Sequence, residues 1–454
     1  MELLDLCYDV LIRILEGVDP PDLAKCSKTS WGLNNFIKDN QALWKAHYLR
    51  NLDDPRGRPS DPDPDWLSRL QEAVHAQKIL NSDDADAKRR SFKFIATQIE
   101  DLLRTAIERD GVSKNKAALT EVFNKPSNLD AFLYRSSLYH RAGTESQDAA
   151  ETEEDRQMSA KLHCLYGVPS GVSGRRSLST HAHARARVYD LRSYTKNTKW
   201  GPFRDDGSMK VDWEMLESIM IDLGYNSGTC CRRFTRHFKQ FEPVWSEPFG
   251  GIVRDKPLKD YAPKLLMEPD LPLHLKDPYN ISGEWLRIVC FLDYNDLHAF
   301  NFMDPQPSPD APRDPINTDE AIRHIHMRLQ VTSVESAGPF DNLDLPVTHF
   351  TGRSRSVDAA WDPNANSRIR GTVKLTPEGE VRWTTISIFY GEERWRSEGI
   401  QVGGRNSKRG VIGTWFDKDY DPHGPAGPTA FWKVSDEIGE SDDEDSDDSE
   451  MAWV

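Results

Sequence analysis

The chain has 454 residues, 37% of them hydrophobic and 29% charged, and a formal net charge of −15. This length allows two or three domains with a sizeable buried core, and the modest hydrophobic share predicts that part of the chain is loop or tail. No run approaches the ~20 consecutive apolar residues of a membrane helix, which argues against an integral membrane protein. The first residues also lack the basic stretch of a secretory signal.

Cysteine spacing and charge distribution exclude further classes of protein. Six cysteines, none in CxxC spacing, argue against a disulfide scaffold or a zinc finger and favour the cytosol or the nucleus. Ten of the 73 acids lie after Lys433, so the rest of the chain carries 63 acids against 58 bases. We therefore predict a nearly neutral body and a disordered acidic tail at 434–454, and we expect no nucleic-acid partner.

Residues 1–50 place many large apolar residues on three short predicted helices. The cluster Leu11 to Leu15 is followed by Gly17, a typical helix terminator, and Pro20-Pro21 begins the second helix. Trp31 opens the third apolar stretch. Helices this short cannot bury all of these side chains against one another, and each exposed one forgoes roughly 1.5–3 kcal/mol of burial. A partner surface would explain them.

The order of these residues resembles an F-box, from Leu6 to Leu15 through Pro21-Asp22-Leu23 to Leu43-Trp44. The resemblance implies a small helical module that docks on the Skp1 adaptor of cullin-based ubiquitin ligases. The alternative is an ordinary N-terminal helical hairpin packed on its own domain. The residues for which the resemblance implies a role in Skp1 binding are Leu6, Leu11, Ile14, Leu15, Pro21, Leu23 and Trp44.

Residues 51–240 are predicted to be a mainly helical linker region. Helical spacing of apolar residues predicts helices over 66–80 and 92–107, and a third over 211–223, with Asp212 as its cap and Gly224 as its terminator. Irregular structure is predicted for three polar or Gly/Pro-rich stretches, 53–65, 143–156 and 169–187.

Residues 241–433 change to the two-residue period of β-strands. The pattern predicts strands over 286–292, 325–331, 371–376, 381–390, 395–402 and 411–416. Pro377-Glu378-Gly379 reads as the turn of a hairpin. Short strands with Gly-rich turns favour an antiparallel β sandwich or barrel, so the predicted fold class is α+β.

This β region is also similar to fungal F-box proteins. The similarity rests on Trp395 to Gly403, Gly410 to Trp415 and Asp421 to Pro428, and it implies a substrate-receptor architecture. The tryptophans of this region either fill a core or line a recognition pocket. We predict a constrained loop at 421–428. The candidate substrate contacts are Trp395, Arg396, Trp415 and His423.

Catalytic motifs are not found. GxSxG, P-loop and GxGxxG patterns are absent. The pairs His181/His183 and His324/His326 could each place two imidazoles on one strand face, but no third metal ligand follows at a readable spacing. We expect no catalytic residue, no cofactor and no metal.

The predicted function is therefore that of a non-catalytic substrate-recognition subunit of an SCF-type (Skp1–cullin–F-box) ubiquitin ligase. Its expected partners are Skp1, a cullin reached through Skp1, and an unidentified protein substrate. Two alternatives remain open: a Skp1-bound structural protein that acts without cullin, and an enzyme whose β-domain binds a small ligand or glycan.

Overall fold

A computed structural model describes residue 4 and residues 6–107, 112–143, 152–169, 175–255, 272–338, 341–359 and 365–437. Residues 438–454 of the predicted tail and residues 144–151 of one predicted loop lie outside the described residues. The chain divides into an N-terminal helical region and a C-terminal β-barrel. The predicted α+β class is confirmed, and the β region is a barrel and not a sandwich.

The helical region accounts for most of the chain before residue 250. Its longer helices are α1 Tyr8–Glu16, α2 Pro20–Cys26, α3 Trp31–Lys38, α4 Gln41–Asn51, α5 Trp66–Asn81, α6 Ala85–Arg90, α7 Phe92–Arg104, α8 Lys114–Phe123, α10 Ser137–Arg141, α11 Glu153–Tyr166, α12 Arg175–Val188 and α13 Trp213–Arg233. Shorter helical segments are α9 Pro126–Asn128, the π-helical turn Leu129–Leu133, α14 Thr235–Phe238, and the 3-10 turns Leu191–Ser193, Lys239–Phe241 and Val244–Ser246.

The barrel is closed and antiparallel, with its strands hydrogen-bonded in sequence order and β8 paired back to β1. The strands are β1 Gly283–Phe291, β2 Ala321–Glu335, β3 Val347–Ser356, β4 Ser367–Leu375, β5 Val381–Phe389, β6 Glu392–Gln401, β7 Val411–Asp417 and β8 Ala426–Ser435. Helix α15 Leu273–Lys276 precedes β1, and α16 Tyr294–Phe302 connects β1 to β2.

The apolar run that predicts β1 is continuous because both faces of this strand are buried. Trp285 points into the barrel, where it packs on Trp383, while Ile288 lies on the outer wall beside helix α13. The hairpin predicted around Pro377 is confirmed by the antiparallel register that pairs Leu375 with Val381.

Two strands were not predicted from the sequence, and each has a physical reason. The inward positions of β3 include Gly352, Ser354 and Ser356, so this strand has no alternating apolar pattern. Strand β8 begins at Ala426, so the predicted loop at 421–428 is wrong for its last residues. Pro428, read as a loop residue, pairs with Thr414 inside the barrel wall.

Two predictions about the helical region are also wrong. Helix α13 continues past Gly224 to Arg233, so this glycine does not end the helix. It instead lies close to a neighbouring side chain, since a Cβ there would be 3.3 Å from Trp245 Nε1. The cap of this helix at Asp212 is confirmed, since its side chain accepts a hydrogen bond from Met215 N. The stretch predicted as irregular over 169–187 contains helix α12, which places His181 and His183 on a helix and not on a strand.

The helical region and the barrel share one apolar core. Leu216, Ile219 and Leu223 of α13 belong to the same buried cluster as Ile412 of β7 and Trp432 of β8. Among the described residues, no helix has both the length and the apolar content needed to cross a membrane.

Candidate functional site

Local signals in the sequence set the helix boundaries of the first fifty residues. Pro20 and Pro21 occupy the first turn of α2, where a missing backbone N–H costs nothing. Ser30 caps α3 by accepting a hydrogen bond from Leu33 N at 3.2 Å, and Asn40 caps α4 by accepting one from Leu43 N at 3.1 Å. These caps fix where each short helix begins.

Four of the residues predicted to contact Skp1 lie inside this module. Leu11, Leu15, Leu23 and Trp44 are buried in one cluster that continues into Trp66 of helix α5. The buried ring of a neighbouring histidine also contributes, with His47 Nε2 3.1 Å from the carbonyl oxygen of Leu15, and burial lowers the pKa of His47.

Two other predicted contacts, Ile14 and Pro21, are exposed, and Leu6 is half-buried. The apolar residues exposed on this module, which we call the F-box apolar surface, are Leu4, Tyr8, Val10, Ile14, Pro21 and Trp31. Trp31 is 82% exposed. Tyr8 and the Leu4 side chain both lie against α3: the Tyr8 ring is 5.5 Å from Phe36, and Gly32 leaves room for Leu4.

The candidate substrate contacts on the barrel fall into three places. Trp395 is half-buried at one end of the barrel and packs edge-to-face on buried Trp415, at 5.2 Å between ring centroids. Trp415 Nε1 donates a hydrogen bond to the carbonyl oxygen of Cys290 at 3.0 Å, which fixes this ring.

Arg396 and His423 lie elsewhere. Arg396 points to the outer face of β6, where it donates a hydrogen bond to Tyr420 Oη at 2.8 Å and contacts Glu393. His423 is exposed and packs on Phe302 of α16, at 4.7 Å between ring centroids. The structure therefore brings Trp395 and Trp415 together, while Arg396 and His423 occupy separate surfaces.

The barrel end that contains Trp395 opens into a cavity of about 480 Å³. Phe291, Phe389 and Trp395 form its aromatic wall, and Arg323 and Arg394 lie at its rim. We call these five residues the barrel mouth. Of them, Trp395 was predicted as a site residue; the others follow from the register, because the ends of β1 and β5 and the starts of β2 and β6 meet at one end of an antiparallel barrel.

Arg287 was not predicted as a site residue. It shares the interior face of β1 with Trp285, because residues two apart on a strand point to the same side, and it is only 6% exposed. Its Nε donates a hydrogen bond to Thr429 Oγ1 at 2.9 Å, and burial lowers its pKa to about 10. A charged residue at a core-facing position of β1 was the available signal in the sequence.

The histidine pairs do not form metal sites in the described part of the chain, where no group of three His, Cys, Asp or Glu side chains could hold an ion. His324 Nδ1 lies 3.3 Å from Asp358, its ring stacks on Phe238, and burial lowers its pKa. His326 faces Glu284 at 3.6 Å. Both histidines thus have structural partners.

Comparison with protein families assigns the first module. Residues 3–45 match the F-box domain. The chain carries an F-box domain. This domain implies a Skp1-binding role of the substrate-receptor type in SCF ligases, whose F-box subunits are typically non-catalytic adaptors. Comparisons with curated proteins and with solved structures gave no match.

Proposed function

We propose that this F-box protein is the substrate-recognition subunit of an SCF-type ubiquitin ligase. It docks on Skp1 through the F-box domain and holds a protein substrate on the barrel. The mechanism is proximity, because a tethered substrate lysine has a high effective concentration near the ubiquitin-conjugating enzyme. The chain itself then needs no catalytic residue.

The observation that carries this proposal is the F-box apolar surface. Trp31, Tyr8 and Ile14 are 82%, 56% and 43% exposed in the free chain. Burying one large apolar side chain contributes about 1.5–3 kcal/mol, and Trp and Tyr are enriched at the centres of protein interfaces. The leucines Leu11, Leu15 and Leu23 support this surface from beneath, because they fix α1 and α2 against each other.

Proximity requires a fixed distance between the docking end and the barrel, and residues 53–65 supply part of that rigidity. Arg254 donates hydrogen bonds to the carbonyl oxygens of Asp54, Pro55 and Arg56 at 3.1, 2.6 and 2.8 Å. Asp53 is buried and accepts hydrogen bonds from Ile107 N at 3.1 Å and from Lys114 N at 3.2 Å. These bonds hold the predicted linker against the body of the protein.

The barrel is the proposed presentation end. Trp395 and Trp415 are the candidate contacts that support this best, since they lie together beside an open end. Arg396 and His423 would contact substrate on other faces. A cytosolic or nuclear location fits the six cysteines, all of which are free thiols.

Capture of Skp1 tests the docking surface. We expect the double variant Ile14→Asp with Trp31→Ala to lose Skp1, because it removes the exposed apolar area and adds a charge to the interface. Leu343→Asp is the matched control, since Leu343 is also strongly exposed, at 75%, but lies in the barrel region. Full Skp1 recovery with the double variant would refute the proposed surface.

The same capture separates the ligase from the cullin-independent alternative. Recovery of a cullin together with Skp1 supports a ligase subunit. Recovery of Skp1 without cullin, under conditions in which a known SCF receptor recovers both, supports a Skp1-bound structural protein.

A further inference from the structure

The interior of the barrel changes from apolar to polar along its axis. At one end, Trp285, Phe350, Trp383 and Phe431 pack on one another, with ring centroids 5.1 to 5.9 Å apart. This plug fills the interior with apolar side chains in the way that small barrels usually do. The other end is the barrel mouth, with its cavity of about 480 Å³.

Hydroxyl groups line the interior beyond the plug. Ser354 Oγ lies 2.7 Å from Ser367 Oγ, and Thr385 Oγ1 is hydrogen-bonded to Ser397 Oγ. All four positions face inward by the strand register, on β3, β4, β5 and β6. A core whose purpose was stability alone would not need this layer, since buried hydroxyls add little net stability.

Arg287 lies in the polar part of the interior without an acidic partner. Its guanidinium group lies above the Phe431 ring at 6.0 Å, and Thr429 accepts its Nε–H. Among the described residues, neither of its terminal nitrogens has a hydrogen-bond partner. A buried charge is costly unless it is paired, so a guanidinium at 6% exposure with one hydrogen bond is well suited to bind an anion inside the barrel.

Two other buried arginines show how this protein accommodates a guanidinium group. Arg185 lies 3.3 Å from Asp222 and 2.6 Å from Glu320, whereas Arg409, which has no acidic partner among the described residues, donates hydrogen bonds from Nε and Nη1 to the carbonyl oxygens of Cys164 and Gly250 at 2.8 Å each. Arg287 differs from both, because its hydrogen bond to Thr429 involves Nε and neither of its terminal nitrogens has a partner among the described residues.

The barrel mouth fits the entry of an aromatic anion. The Arg323 guanidinium lies 5.3 Å from the centre of the Phe291 ring, and that of Arg394 lies 5.5 Å from the Trp395 ring. Neither arginine has an acidic partner among the described residues, so both leave positive charge at the rim. The acidic side chain in the lining is Asp358, which is engaged by His324.

We propose that the barrel is a receptor for a small aromatic carboxylate, with the ring held between Phe291, Phe389 and Trp395 and the carboxylate directed towards Arg287. Arg287 lies on the same face of β1 as Phe291 and four residues deeper, about 13 Å along the strand, below the residues that line the cavity. Its side chain extends towards the mouth, because its Nε–H bonds to Thr429, which pairs with Val289. A cavity of about 480 Å³ is within the usual size of a small-molecule site. This site does not depend on Skp1 binding.

The test uses the full chain with naphthalene-2-carboxylate, its neutral carboxamide, and benzoate as a smaller acid, with calorimetry as the readout. We expect the naphthalene acid to bind at one site, and the carboxamide to bind at least about tenfold more weakly, because a charge-assisted hydrogen bond contributes about 1.5–3 kcal/mol. Equal binding of acid and amide, or no binding of either acid, would overturn the proposal.

Arg287→Met distinguishes a ligand anchor from a structural arginine. We expect this variant to lose binding of the naphthalene acid while its melting temperature stays equal or rises, because it replaces an unpaired buried charge with an apolar side chain. Arg353→Met, at an exposed outward position on β3, is the matched control and should bind normally. Unchanged binding by Arg287→Met would refute the role of this residue; if the variant does not fold, the comparison of acid with amide in the unaltered chain still decides.

Discussion

The F-box domain exposes a large apolar side chain, whereas the barrel buries a charged one. The F-box domain leaves Trp31 82% exposed, whereas the barrel buries Trp383 to 1%. The barrel in turn buries a charged side chain, Arg287, that a surface would accommodate without cost. In each region the departure from ordinary packing has a physical cost: Trp31 keeps its apolar surface in solvent, and Arg287 has no acidic partner among the described residues. Both proposed binding sites thus contain a side chain whose polarity does not match its surroundings: an apolar ring in solvent and a charged group in the interior.

The largest expected difference in stability is between two tryptophan-to-alanine variants, one in each region. Trp383 contacts three other aromatic rings, and its Nε1 donates a hydrogen bond to Gln401 Oε1 at 3.0 Å. We expect Trp383→Ala to lower the free energy of unfolding by about 3–5 kcal/mol. We expect Trp31→Ala to change it by less than about 0.5 kcal/mol, because a surface side chain leaves no cavity.

Denaturant unfolding of the free chain measures both values. The effects on Skp1 capture should be the reverse. Trp31→Ala should recover less Skp1, whereas any Trp383→Ala protein that remains folded should recover as much as the unaltered chain. Equal destabilisation by the two substitutions would show that Trp31 belongs to a core, and the contrast between the two regions would be lost.

A second prediction concerns Asp222, one of two acidic residues beside the buried Arg185. Burial, with Glu320 as neighbour, raises the pKa of Asp222 well above its usual value, although Arg185 opposes this. Asp222 therefore keeps its proton in the folded chain at pH values where the unfolded chain has released it. The free energy of unfolding then falls as pH rises above about 4, by up to about 1.4 kcal/mol per pH unit, until the pKa of the folded state is passed.

Asp222→Asn should remove that slope, because the amide cannot titrate but can still accept a hydrogen bond from Arg185 and donate one to Glu320. We expect the variant to gain stability over the unaltered chain as pH rises, measured by denaturant unfolding at several pH values. Asp54→Asn is the control of opposite sign, since its hydrogen bond with Arg56 lowers the pKa of Asp54 and that stability is lost as pH falls. A shift of equal size for Asp222→Asn at every pH would contradict the interpretation that Asp222 keeps its proton in the folded chain.

The sequence predicted those parts of the fold that have a clear hydrophobic period or, as in β1, a continuous apolar run. It identified the F-box helices and the strands β1, β2 and β4 to β7 by hydrophobic period and turn residues. It missed β3 because Gly352, Ser354 and Ser356 line a polar interior, and it ended α13 too early because only the tertiary contact with Trp245 explains Gly224.

Site prediction was limited for a related reason. The F-box resemblance identifies apolar positions by their order along the chain, which does not show whether a side chain is exposed. It therefore named Leu11 and Leu15, which the structure buries, together with Ile14, which is exposed. No local pattern shows that Arg287 lacks a carboxylate partner, because that depends on what all eight strands place inside the barrel. Whether a buried charge has a partner depends on the whole closed barrel, whereas a hydrophobic period can be read from one strand.

The smallest predicted effect tests whether local helix geometry positions the exposed tryptophan. Trp31 is the first residue of α3, and Ser30 immediately before it accepts the hydrogen bond from Leu33 N that starts the helix. Ser30→Ala should cost about 0.5–2 kcal/mol of local helix stability and allow the first turn to fray. Because Trp31 lies in that turn, we expect Skp1 affinity to fall with no contact to Skp1 removed. Ser30→Asp retains an acceptor and should retain both helix and affinity, so equal weakening by the two variants would instead mean that Ser30 contacts Skp1 directly.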